Sequence, residues 1–377
     1  MENMNPKFDD DQYGRARVKK SEELEKYYAE IQKLGTNALW TVANEIEPWE
    51  PHTLSSVMFW EYEKIRPHLL RSTELVTPGE AGRRVLYLVN EKRKDIKAAC
   101  GMLFSGLQIT KPGEFTPAHR HVASALRFIM EGEKGYTIVD GHHITLSARD
   151  FVITPNGTWH EHGVEEDGKT CIWQDGLDIP MANAFEANDY AILPEGKGQD
   201  RLFPTNFSPL TYGGVGVLPA DKEWNKPFSP LFKYTWERTY EALLNMAKVN
   251  DGSPFDGILM NYVNPTTGGP VMQTMGAAMQ LLRPQEHTKA HKHTGSIVYQ
   301  CAKGKGYSII NGIKYYWKEK DIFCVPSWTW HEHCNESDSE DACLFQFNDL
   351  PTIHKLGYYQ EKEYTEHGGY QKVISTH

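Results

Sequence analysis

The chain carries one ligand pattern twice, and this duplication limits what it can fold into. The segment HRHVASALRFIMEGEKGYTIVDG at 119–141 is answered by HKHTGSIVYQCAKGKGYSIING at 291–312. DFVITPNGTWHEHG at 150–163 is answered by DIFCVPSWTWHEHC at 321–334. His119, His121 and His160 therefore recur as His291, His293 and His331. The copies are 172 residues apart at the first pair and 171 at the last, because one residue is lost after Gly304. A repeat of this length means two units built on one plan, each presenting three histidines.

The segments between the histidines are short apolar or alternating runs: RVLYLVN, GMLFSGLQI, ALRFIM, GYTIVDG, HHITLS, DFVITP and TCIWQDGL. Gly, Pro, Asn and Asp punctuate them, which is the pattern of an antiparallel sandwich or barrel. Two helices are expected outside the β-rich parts. One spans 21–35, with Ser21 as N-cap and Gly35 past its end, and the other spans about Trp236–Val249. Residues 1–20 read as a loose charged segment. The chain divides as an N-terminal helical and irregular extension (1–83), a first β unit (84–182), a linker region with a helix (183–255), and a second β unit with its tail (256–377).

With 377 residues the chain can bury two ordinary cores, and its net charge of −10 argues against a nucleic-acid surface, which needs a basic face. An anionic substrate would need a locally positive site. The polar N-terminal MENMNPKFDDDQ lacks the apolar stretch of a signal peptide, and no 18-residue apolar run occurs. A cytoplasmic protein without membrane partners is expected. The six cysteines show no CxxC pair, and four of them fall in apolar strand-like runs, so buried free thiols are expected.

On a strand, residues i and i+2 share a face, so His119 and His121 project together. A third histidine from a distant strand completes a triangular face for iron, copper, nickel or zinc, with positions left open for substrate. HxH alone is weak. HxH followed about forty residues later by PxGxxH, with hairpin signals between, is much stronger.

These segments carry a family resemblance. GEFTPAHRH followed by DFVITPNGTWHEHG looks like the two successive motifs of the cupin superfamily, and their doubling resembles a bicupin. FSGLQITKPGEFTPAHRHVASALRF, ITPNGTWHEHG and WQDGLDIP resemble the gentisate 1,2-dioxygenases, with the salicylate and 1-hydroxy-2-naphthoate dioxygenases close by. The resemblance implies an all-β-dominated fold of two antiparallel double-stranded β-helix barrels. It implies Fe(II) held by His119, His121 and His160, extradiol-type opening of a ring bearing carboxylate and hydroxyl groups, dioxygen as co-substrate, and a homotetramer.

Arg127 stands on the strand after HxH, where many cupins place a ligand glutamate. Three neutral ligands plus an arginine suit a carboxylated, chelating substrate; the bland reading is that Arg127 bridges to a structural carboxylate. By the same resemblance His162 serves as a donor to a substrate oxygen, and Asp175 receives the hydroxyl para to the one near the metal. Gln108, Arg83, Phe104 and Gly106 become substrate contacts, with Arg83 favoured over Arg84. Phe104 stands where several relatives have a tryptophan, a departure that leaves the substrate range undecided by the resemblance. In the second half Arg127 becomes Tyr299, Gln108 becomes Gln280 and His162 becomes His333. Under the 172-residue offset Asp175 becomes Phe347. Turnover is therefore expected in the first half. The alternatives from other classes are a metal-dependent isomerase or decarboxylase and a non-catalytic storage bicupin.

Overall fold

The alternating runs form the strands expected of them, because one face of each run meets a core and the other meets a neighbouring layer or water, while partner strands pair along the edges. The structure, a computed structural model, describes residues 18–194, 198–214, 216–221 and 223–377. Most of the N-terminal segment read as loose, including MENMNPKFDDDQ, lies outside the described residues. Two compact units divide between His52 and Thr53. In the first, the helix Glu22–Gln32 is capped by the Ser21 hydroxyl, which accepts from Leu24 N at 3.1 Å. Trp40 Nε1 donates to the Tyr28 hydroxyl within the same unit.

The second unit holds both barrels. The first barrel is a nine-stranded sheet. Its central path runs β2 (Val85–Tyr87), β3 (Phe104–Thr110), β8 (His160–Leu177), β5 (Ala125–Val139) and β7 (Phe151–Thr154), and β4 (Phe115–His121), β6 (His142–Leu146), β9 (Tyr190–Ile192) and β10 (Lys233–Tyr234) complete it. β5 and β8 are long enough to pass through both halves of the roll, with register shifts between Ile129 and Gly135 where they bend.

The second barrel repeats the plan with those long strands broken, giving two six-stranded sheets. One sheet contains β1 (Met58–Trp60), β11 (Ile258–Asn261), β12 (Gly276–Leu282), β14 (Ile297–Lys303), β17 (Ile322–Val325) and β19 (Ala342–Asn348). The other contains β13 (His291–His293), β15 (Lys305–Ile310), β16 (Ile313–Lys318), β18 (His331–Cys334), β20 (Glu361–Glu363) and β21 (Ser375–Thr376). The break between β14 and β15 falls at Gly304, whose φ of +81° only glycine adopts without strain. This is where the second copy loses its residue.

The repeat also extends past residue 182. β9 pairs with β4, bringing Tyr190 opposite His121; β20 pairs with β13, bringing Glu361 opposite His293. The expected second helix is present as Trp236–Val249. All six cysteines are buried and free. Among the described residues, no helix is long and apolar enough to cross a membrane.

The barrels share one core. Phe128 of the first stacks on Phe345 of the second, with ring centroids 4.1 Å apart and planes 12° apart. Phe151 and Tyr262 pack beside them. At Gly176 a Cβ would lie 2.8 Å from the Phe347 ring and from Leu126 Cδ1, so the absence of a side chain lets the barrels close. The register of both halves corrects one expected equivalence. Gly106 faces Asp175 in the first barrel, and its counterpart Ala278 faces Gln346 in the second. The partner position of Asp175 is therefore Gln346, since the residue lost after Gly304 makes the offset 171; Phe347 corresponds to Gly176.

Candidate metal centre

His119 and His121 alternate along β4, and the β4–β8 pairing sets His119 directly opposite His160. Their ring centroids lie 4.2 Å (119–160) and 4.7 Å (121–160) apart. Each ring turns Nδ1 toward a backbone carbonyl: Pro117 at 2.8 Å, Ala123 at 2.7 Å and Thr158 at 2.9 Å. A carbonyl can only accept, so the proton sits on Nδ1 and each Nε2 presents a lone pair. All three Nε2 atoms are buried without a hydrogen-bond partner, and one ligand atom from each ring lies within 4.8 Å of the others. Leaving three such atoms unpaired in a protein interior is unfavourable, and a shared cation removes the penalty. Burial, with the charge of Arg83 adding to it, holds His119 down to about 3. Burial holds His121 down to about 4 and His160 well below the usual range. The rings are thus neutral at physiological pH, which is the ligating form.

His162 continues the alternation along β8. Its Nδ1 lies 2.7 Å from the Thr137 hydroxyl, which donates its single proton to the Glu161 carbonyl at 3.0 Å. His162 Nδ1 therefore donates to Thr137, and the buried, unpartnered Nε2 is an acceptor. Burial, followed by the charge of Arg127, keeps this ring neutral.

Arg127, expected to meet a substrate carboxylate, and Asp175, expected to receive a ring hydroxyl, stand opposite each other across β5 and β8. Arg127 Nε lies 3.2 Å from Asp175 Oδ1, and Arg127 Nη1 donates to the Thr154 hydroxyl at 2.8 Å. Trp173 Nε1 donates to the same carboxylate oxygen at 3.2 Å. Arg127 is 1% exposed, yet its pKa is lowered only to about 10, because Asp175 counters the burial. It is a cation at neutral pH. Burial raises Asp175, and Arg127 opposes that shift.

The remaining expected contacts surround this pair. Gln108 on β3 is buried with Oε1 unpartnered. Gly106 faces Asp175, and a Cβ there would meet Val85 Cγ1 at 2.7 Å. Phe104 stacks on Tyr87 at 6.1 Å. Arg83 is half-buried, and its charge reaches His119, His162 and Asp175. Arg84 is instead occupied by an ion pair with Glu114. The sequence reading missed Thr137, Thr154 and Trp173. Only Thr137 left a signal, since GYTIVDG and GYSIING both keep a hydroxyl at that place.

The second triad repeats the first in outline. His291 faces His331, and Nδ1 of His293 and of His331 point to the carbonyls of Thr294 and Thr329. His333 likewise contacts the Ser308 hydroxyl at 2.7 Å. The ionic cluster is gone: Tyr299, Val325 and Gln346 stand where Arg127, Thr154 and Asp175 do.

Two jelly-roll barrels, each with a buried three-histidine cup, define a bicupin with metal-binding capacity. The cupin domain family model matches residues 106–180 and 278–347. The chain is 37% identical to gentisate 1,2 dioxygenase 1 of Aquipseudomonas alcaligenes, over 90% of this chain and 96% of that protein. It is 34% identical to a 5-aminosalicylate 1,2-dioxygenase of Comamonas sp, over 93% of each. A variant of salicylate 1,2-dioxygenase from Pseudoaminobacter salicylatoxidans, solved in complex with gentisate, superposes with a TM-score of 0.85 at 28% identity, covering 92% of this chain and 96% of that one. The chain belongs to the gentisate 1,2-dioxygenase family of bicupin ring-cleaving dioxygenases.

Proposed function

We propose that the first barrel binds Fe(II) through His119, His121 and His160 and opens gentisate between its carboxyl- and hydroxyl-bearing carbons to give maleylpyruvate. The observation that carries this reading is a set of three neutral imidazoles with orphaned Nε2 atoms beside the buried cation of Arg127. When bound, the metal supplies a site at which an electron-rich ring and dioxygen meet.

The chain's own residues supply the rest. The three imidazoles add no negative charge, and Arg127 adds a positive one, so the cup favours a substrate that brings a carboxylate. Thr154 holds the guanidinium through Nη1, Asp175 balances its charge, and its remaining N–H groups are available to that carboxylate. Asp175 keeps lone pairs for the hydroxyl para to the chelating one. Gln108 offers its unpartnered Oε1 to a hydroxyl, and Phe104 with Tyr87 forms an aromatic wall. Arg83 adds charge at the rim. His162 Nε2 offers its lone pair to a substrate hydroxyl as a hydrogen-bond acceptor. Holding ring and co-substrate in one orientation is the main catalytic contribution.

Dioxygen uptake by the Fe(II)-loaded protein, measured side by side with gentisate, salicylate and 1-hydroxy-2-naphthoate, tests this reading. Uptake with gentisate and formation of maleylpyruvate support it. Uptake restricted to either of the other two acids moves the chain to that branch of the family. A cytoplasmic homotetramer accompanies the proposal, and light scattering of the purified protein tests the assembly.

A further inference from the structure

The two cups differ in the sign of the charge around them. In the first, Arg83 and Arg127 face the histidines, and Tyr190 sits opposite His121. In the second, Tyr299 replaces Arg127, and Glu361 occupies the register position of Tyr190, opposite His293. Glu361 Oε1 accepts from His291 Nδ1 at 3.0 Å, and Glu361 Oε2 accepts from the Tyr359 hydroxyl at 3.0 Å. Asp256 Oδ1 lies 3.8 Å from His291 Nε2, its other oxygen held by the Ser253 hydroxyl at 3.1 Å.

We propose that His291, His293 and His331, with Asp256 as fourth ligand, form a closed, permanently occupied site for a divalent ion of the zinc type that holds β20 in place and turns nothing over. The proposal is independent of the substrate assigned to the first cup. All three histidines are more than nine-tenths buried, the His291 Nε2 is unpartnered, and one ligand atom from each lies within 4.8 Å of the others. Donors at tetrahedral zinc lie about 3.4 Å apart; Asp256 reaches only His291 Nε2, at 3.8 Å, and stands outside the triad, so its partly exposed carboxylate must swing inward to complete the shell. Three histidines and one carboxylate satisfy zinc and leave no open position, which is the mark of a structural site. A carboxylate on the far nitrogen of a ligating histidine raises its basicity and tightens binding. In the first cup the far nitrogen, Nδ1, of each of the three histidines is held by a backbone carbonyl instead. β20, which carries Glu361, pairs with β13, so an ion here ties the tail to the barrel.

The test is metal content by plasma mass spectrometry, without reference to activity. Purified His160→Ala, lacking the first triad, should retain about one ion per chain, chiefly zinc, after dialysis against a weak chelator. His331→Ala should lose that ion. Asp256→Asn and Glu361→Gln, which keep the barrel's histidines, should release it roughly tenfold faster to EDTA. A His160→Ala protein that is folded and carries no ion overturns the proposal. Release rates unchanged in both carboxylate variants overturn the roles of Asp256 and Glu361.

Discussion

Arg127 Nε and Asp175 Oδ1 lie 3.2 Å apart beside the first histidine triad, one side chain 1% and the other 6% exposed. Taking both charges out of water is tolerable only because each neutralises the other and because Thr154 and Trp173 satisfy further polar atoms. The pair therefore has two roles that can be separated: keeping the barrel folded and meeting a substrate carboxylate.

Arg127→Ala leaves Asp175 buried and unpaired, which should cost about 3–5 kcal/mol of stability. It should also weaken gentisate binding about ten- to a hundredfold, since a hydrogen bond to a charged group contributes roughly 1.5–3 kcal/mol. The double variant Arg127→Met with Asp175→Leu should recover most of the stability and none of the binding. Urea unfolding and gentisate titration read the two effects, and recovered binding in the double variant would show that the clamp lies elsewhere, with Arg83 next in line.

His160→Ala removes the ligand that joins β8 to β4. Iron in the first cup and dioxygen uptake should both be lost, with the far-ultraviolet circular dichroism of the barrels unchanged. Normal uptake with the first-cup iron retained would refute the assignment.

Asp349 is the counterpart of Asp178, and both accept a backbone N–H from the serine after the HxH strand, Ser296 in one case and Ser124 in the other. Burial raises Asp349 to about 6. An acid whose folded pKa exceeds its unfolded value of about 3.9 contributes most stability below that value and loses it as pH rises through 6. Between pH 5 and 7 this loss should be about 1 kcal/mol. Asp349→Asn keeps an acceptor for Ser296 and should abolish that part of the pH dependence. Chemical unfolding of both proteins at the two pH values measures it; parallel slopes would count against the shift.

Gly176→Ala introduces a methyl group within 2.8 Å of Leu126 and the Phe347 ring. Overpacking of this kind should cost about 1–3 kcal/mol. The same change at Gly157, where nothing lies within 4 Å but φ is +72°, separates crowding from backbone strain. A thermal-melting comparison that ranks the two variants equally would argue against a tight barrel interface.

The histidine triads were legible because alternation on a strand is a local rule and the repeat printed it twice. The barrel strands and two of the three longer helices among the described residues were legible for the same reason, being written in short-range periodicity and caps; the helix Tyr62–Leu75 went unread, with no side-chain cap at its start and Pro67 inside it. The Arg127–Asp175 pair was half legible. Each residue stood out, but their meeting depends on a β5–β8 register that joins positions far apart in the sequence. Tyr190 and Glu361 left no signal, because the three-residue strands that carry them have no periodicity long enough to read. The misplaced counterpart of Asp175 came from applying one offset across a deletion, an error that strand register removes.

Gly176 and Phe347 hold the same position in the two barrels, and one fills the space the other leaves. An ancestral pair of identical barrels could not have made that contact, since two glycines leave a gap and two phenylalanines collide. The halves have thus become lock and key, and neither can now serve as the template for replacing the other. A gene that lost its second half would bare Leu126, Phe128 and Phe151 to water. Selection can therefore take turnover away from the second cup while the barrel around it stays indispensable.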